Sequence, residues 1–132
     1  MEKRIVITAS ILGFLGVLFG AFAAHGLKAV LTAQQISSFQ TGVRYQFYHA
    51  FLLLFIGNTT LINTIFKKRI YILTLVGVIF FSGSIYVLTL DEYIIGHNLK
   101  KMAIITPIGG TLLLGAWASL LLGLLKKTNT NS

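Results

Sequence analysis

Ile70 to Leu90 reads IYILTLVGVIFFSGSIYVLTL, an unbroken stretch without a charged side chain, preceded by Lys67-Lys68-Arg69 and followed by Asp91-Glu92. A helix rises about 1.5 Å per residue and the hydrocarbon core of a bilayer is about 30 Å thick, so about 20 apolar residues cross it. Lipid offers no hydrogen bonds to a peptide group, so such a stretch must satisfy its backbone internally, as a helix does. Three further apolar runs lie outward from it: Ile5 to Ala24, Tyr45 to Phe66 and Met102 to Leu125. None alternates polar and apolar residues as a barrel strand would. The chain therefore reads as an all-α membrane protein. It forms a single domain over residues 1–132, with four transmembrane helices in an antiparallel bundle.

Composition agrees and removes several function classes. Hydrophobic residues make up 55% of the chain and charged residues 11%, a balance far from that of a soluble domain. Without cysteine, disulfides, iron–sulfur clusters and thiolate zinc sites are excluded. Three His and three acidic residues leave little material for a metal or acid/base centre, so no cofactor, no metal and no enzyme activity are expected. The net charge of +8 sits in short clusters between apolar runs, with no basic stripe interleaved with aromatics. Those clusters read as membrane-flanking anchors in contact with lipid, and nucleic acid is not an expected partner.

Orientation follows from the same clusters. With four spans, Lys3, Arg4, Lys67, Lys68, Arg69, Lys126 and Lys127 share one side, while Lys28, Arg44, Lys100 and Lys101 share the other. The positive-inside rule then places both termini in the cytoplasm of a cell with a plasma (inner) membrane. A rival reading of the first run is a secretory signal ending near Ala21-Phe22-Ala23, but the run is longer than a usual signal core of about 7 to 15 residues. An uncleaved helix is expected.

Local signals refine the ends. Gly26 is expected to close the first helix in the left-handed conformation, with Leu27 to Leu31 lying as a short interfacial segment. Thr32 and Gln35 form a capping-box pattern, and Ile36, Phe39, Val43 and Phe47 fall on one helical stripe behind it. Thr106-Pro107 reads as the N-cap and first residue of the fourth helix. Small residues mark contact faces in lipid: Ala9, Gly13, Gly16 and Gly20 on the first helix, and Gly115, Ser119 and Gly123 on the fourth.

Four segments resemble the motifs of one membrane family: Gly20-Ala21-Phe22-Ala23-Ala24-His25-Gly26-Leu27, Thr41 through Ala50, Ser82-Gly83-Ser84-Ile85-Tyr86, and Ile105-Thr106-Pro107-Ile108-Gly109-Gly110. In this order they resemble the domain of unknown function 423 family, which includes small bacterial inner-membrane proteins and relatives of the eukaryotic transmembrane protein 256. Ala23 and Ala116 stand where that family commonly has glycine. The resemblance implies a polytopic membrane protein and carries no activity, ligand or catalytic residue with it.

Function must then be sought where polar residues converge. Helix direction alternates, so His25, Tyr45, His49, Ser82, Ser84, Tyr86 and Thr106 are expected in one membrane half, the non-cytoplasmic one. Polar groups in lipid are costly unless partnered, so these residues form either an internal hydrogen-bond cluster or a ligand site. Three readings follow. The first is a small structural or accessory membrane subunit, working with another membrane protein or a second copy of itself. The second is a binder or carrier of an amphipathic lipid-like molecule, using His25, Arg44, Tyr45, His49, Ser84 and Tyr86. The third, most remote, is a haem protein with His25 and His49 as axial ligands. No Ser, His and acid combination forms a nucleophilic triad.

Overall fold

The structure is a computed structural model that describes residues 2–90 and 103–126. Four helices are present: α1 (Glu2–Ala24), α2 (Ala33–Asn58), α3 (Thr64–Leu90) and α4 (Ile105–Leu125). Each runs antiparallel to the next. Phe47 covers Gly16 and Val43 lies against Gly20, Tyr86 packs on Gly42, and Leu113 and Phe66 meet Gly77 and Gly123 in turn. The principal packings are α1 on α2, α2 on α3 and α3 on α4. The N/C end of the bundle thus holds Glu2, the turn between α2 and α3, and Lys126. The opposite end holds His25, Thr32, Leu90 and Ile105.

Among the described residues, three segments are long and apolar enough to cross a membrane: Glu2–Ala29, Thr64–Leu90 and Ile105–Leu125. Helix α2 has spanning length, but Gln34, Gln35, Ser37, Ser38, Gln40, Thr41 and Arg44 make its first half polar. The outward faces are apolar: Phe14 is 70% exposed and Ile65, Leu114 and Leu125 are each 71% exposed. Lipid, which solvates such side chains as well as a protein core does, is the solvent that tolerates them.

The core divides in two. At the N/C end, Ile5 and Ala9 of α1, Leu53 and Ile56 of α2, Ile70 of α3 and Ala116 of α4 belong to one cluster shared by all four helices. At the opposite end Ala23, Leu27, Leu31, Phe39 and Val43 form a second cluster, joined by Phe19 and Tyr86, to which α4 contributes nothing among the described residues. Of the expected small-residue stripes, Ala9, Gly16, Ser119 and Gly123 are buried, whereas a side chain at Gly13 would meet open space. The tightest approach is at Gly109, where an added Cβ would collide with the backbone of Phe80 and Phe81.

Several expected ends are corrected. The run from Tyr45 to Phe66 is not one helix. Asn58 donates to the Leu54 carbonyl, Thr59 turns extended and accepts from the Leu61 amide, and Asn63 accepts from Phe66 N as the cap of α3. These short polar side chains satisfy the backbone groups that the broken helices release. Gly26 is right-handed (φ −67°, ψ −41°), and the chain continues into a 3-10 turn at Leu27–Ala29 that inserts Leu27 into the second core. Glycine is used there because the Phe22 ring lies where a Cβ would be. Helix α4 begins at Ile105 after a tight turn at 103–104, and Ile104, its N-cap residue, gives no side-chain cap. Thr106 is instead engaged by Ser84 of α3. The capping box holds: Thr32 Oγ1 accepts from Gln35 N at 3.1 Å and Gln35 Oε1 from Thr32 N at 2.9 Å. The Asp91 to Lys101 loop, His97, Met102 and Lys127 lie outside the described residues.

Candidate functional site: a polar ladder between the helices

Inside a helix the backbone bonds to itself, so a polar side chain facing a neighbouring helix must find its partner there. Gln46 does this twice. Its Nε2 donates to the Leu12 carbonyl of α1 at 2.7 Å, and its Oε1 accepts the Tyr86 hydroxyl of α3 at 2.6 Å. One amide thereby links three helices, and it is 3% exposed. One turn back along α2, Ser82 donates to the Gly42 carbonyl at 2.7 Å. Gly42 lacks the side chain that would block the Tyr86 ring, which also packs against Phe19 and Phe39.

His49 forms the second junction. Its Nδ1 lies 2.6 Å from the Tyr45 carbonyl and its Nε2 3.0 Å from the indole nitrogen of Trp117. A carbonyl can only accept and an indole N–H can only donate, so the arrangement fits the neutral ring with its proton on Nδ1. His49 is 2% exposed, and the bond joins α2 to α4. Ser84 and Thr106 share a hydroxyl–hydroxyl bond that joins α3 to α4. Nearer the N/C end, Thr8 and Tyr71 share a 2.8 Å bond between α1 and α3. At that end Lys67 donates to Glu2 at 2.6 Å, with the Lys67 side chain 5% exposed and that of Glu2 61% exposed.

These contacts sort the six expected site residues. Tyr86, Ser84 and His49 each bond across a helix interface, but to Gln46, Thr106 and Trp117 rather than to one another. Tyr45 is exposed, offers its carbonyl to His49 and packs its ring on Phe81 with centroids 4.8 Å apart. Arg44 is exposed and donates to Thr41 one turn back. His25 is exposed at the end of α1. It does not join the others. Because Val43 faces Gly20 and Phe47 faces Gly16, His49 sits near the level of Phe14, and His25 lies about 16 Å farther along the axis. The two imidazoles are too far apart to share one iron. Among the described residues, no group of three metal-binding side chains is present.

Sequence reasoning passed over Gln46 and Trp117. Gln46 stands within the quoted Thr41 to Ala50 motif, and an amide buried in an apolar helix is itself a signal that a partner waits on a neighbour.

The comparisons with known proteins bear on the same motifs. The family described as "Protein of unknown function (DUF423)" matches residues 19–110, which hold His25, Gln46, His49, Ser84, Tyr86 and Thr106. The chain belongs to the DUF423 family. Among relatives, a "UPF0382 membrane protein" of Haemophilus influenzae is 36% identical over 126 residues, covering 96% of this chain and 97% of the relative. "UPF0382 membrane protein SH2409" of Staphylococcus haemolyticus is 35% identical, covering 94% and 97%. "UPF0382 inner membrane protein YgdD" of Escherichia coli is 36% identical, covering 95% and 92%. No solved structure matches. This DUF423 chain is thus an integral membrane protein of a family whose description states no activity.

Proposed function

We propose that this DUF423 protein is a small structural or accessory subunit of a membrane assembly, crossing the bilayer four times with both termini in the cytoplasm. The observation that carries the reading is the double use of Gln46, which spends a buried amide on α1 and α3 together. His49, Ser84 and Tyr86 are likewise occupied by other helices. A group already bonded within the fold has little capacity left for a substrate. Native mass spectrometry of the protein in mild detergent tests this. A protein partner or second copy at fixed stoichiometry is expected, while a stoichiometric small molecule lost on His49→Ala would contradict it.

A second reading, binding of an amphipathic lipid-like molecule, is favoured by one feature. A groove of about 390 Å³ lies between the start of α2 and the end of α3, lined by Thr32, Gln35, Ser38, Ile85, Leu88 and Thr89. Its lining mixes hydroxyl and amide groups with apolar side chains. This groove supports the second reading better than His49 does, because His49 is already bonded to Trp117. Retention of one lipid species that Ser38→Leu abolishes would favour it.

A further inference from the structure

At the N/C end, two cations from different helices meet one aromatic ring. The Arg69 guanidinium of α3 lies 5.0 Å from the Phe66 ring centroid, and the Lys126 ammonium, just past α4, lies 5.5 Å from the same centroid. Both distances fall within the range where the ring quadrupole attracts a cation. Gly123 makes the convergence possible, because a Cβ there would press on Phe66 and Ile62 at 3.2 Å and hold the end of α4 away. The one ring brings both cations to the same end of the bundle, and the surroundings do little to offset their charge. The negative end of the α4 dipole amounts to about half a charge, against two full positive ones. Glu2, the acidic residue described at this end, is taken by Lys67 at 2.6 Å. Lys3, Arg4 and Lys68 stand exposed and add to the excess.

Beside the two cations the surface turns apolar at once: Ile65 and Leu125 are each 71% exposed and Leu122 is 57% exposed. A positive pair at the rim of an apolar face matches an amphipathic anion, with phosphate at the cations and acyl chains along the helices. We propose that Arg69 and Lys126, each held at the Phe66 ring, bind the phosphate of an anionic phospholipid at the N/C end of the bundle.

The test uses the full chain in mild detergent. Native mass spectrometry follows retention of phosphatidylglycerol or cardiolipin against phosphatidylcholine, with inorganic phosphate as a competitor. The wild type is expected to hold the anionic lipid in preference to phosphatidylcholine. The Arg69→Gln/Lys126→Gln double variant is expected to lose about 25-fold in that preference, from about fivefold for each basic residue near an anionic surface. Lys28→Gln, which removes an exposed cation at the opposite end, is expected to change little. Should the double variant fail to fold, Lys126→Gln alone removes only an exposed side chain and is expected to lose about fivefold. Unchanged preference in these variants would overturn the proposal. So would an equal loss from Lys28→Gln, or full displacement by millimolar phosphate, which would reassign the site to a free anion.

Discussion

The indole N–H of Trp117 donates to Nε2 of His49 at 3.0 Å, and this bond fastens α4 to α2. The two rings meet nearly edge to face, with centroids 6.0 Å apart and planes at 71°. An interhelical hydrogen bond in a membrane protein contributes about 0.6 kcal/mol on average and reaches about 2 kcal/mol. Trp117→Phe should therefore lower stability by about that amount, measured by thermal unfolding in detergent. His49→Ala should cost more, since it also leaves a gap between the helices. The double variant should cost less than the sum of the two, because the residues share one bond.

Gly109 lies where the backbones of α3 and α4 approach most closely. Gly109→Ala should destabilise by about 1–3 kcal/mol, the usual cost of overpacking, because the obstacle is backbone and cannot rotate away. Gly13→Ala, facing open space, should be neutral or gain up to about 1 kcal/mol of helix propensity. Equal effects at the two glycines, in parallel unfolding measurements, would contradict the packing described.

How far the sequence reaches is visible in these same residues. Four helices, their antiparallel order and the Thr32 capping box were legible, because each rests on run length or on a local pattern. The end of α2 was not, since Asn58, Thr59 and Asn63 interrupt an apolar run by side-chain bonds that hydropathy does not register. The candidate site was legible as a set of polar residues in the helices, and their pairing was not. Pairing depends on how far α2 extends past the end of α1. Twelve polar-rich residues, 33–44, precede Tyr45 within that helix, and they carry His49 to mid-height while His25 stays at the end.

Lys67 was read as an interfacial anchor, yet it is 4% exposed and bonded to Glu2. Removing one partner of such a pair strands the other charge, which is worse than removing the buried charge itself. Glu2→Gln should therefore lower the unfolding temperature more than Lys67→Met does. Lys68→Met, at an exposed neighbour, should leave it nearly unchanged.

Orientation has its own test. The excess of basic residues on the N/C side, seven against four, predicts that both termini face the cytoplasm. Reporter fusions after Lys127 and in the turn around Thr60 should be active only on the cytoplasmic side. Activity on the far side at both positions would invert the topology and bring the groove between α2 and α3 to the cytoplasm.

If Gln46 and Tyr86 serve to hold helices to one another, the two side chains must be coupled in stability. The measurement is a double-mutant cycle of Gln46→Leu and Tyr86→Phe, read by thermal unfolding in detergent beside mass analysis of what co-purifies. Tyr86→Phe should cost about 0.6 to 2 kcal/mol and Gln46→Leu more, because Gln46 also holds Leu12, with a coupling of at least about 0.5 kcal/mol between them. Unchanged stability in both variants, together with loss of a bound small molecule, would contradict the account and make the ladder a ligand site.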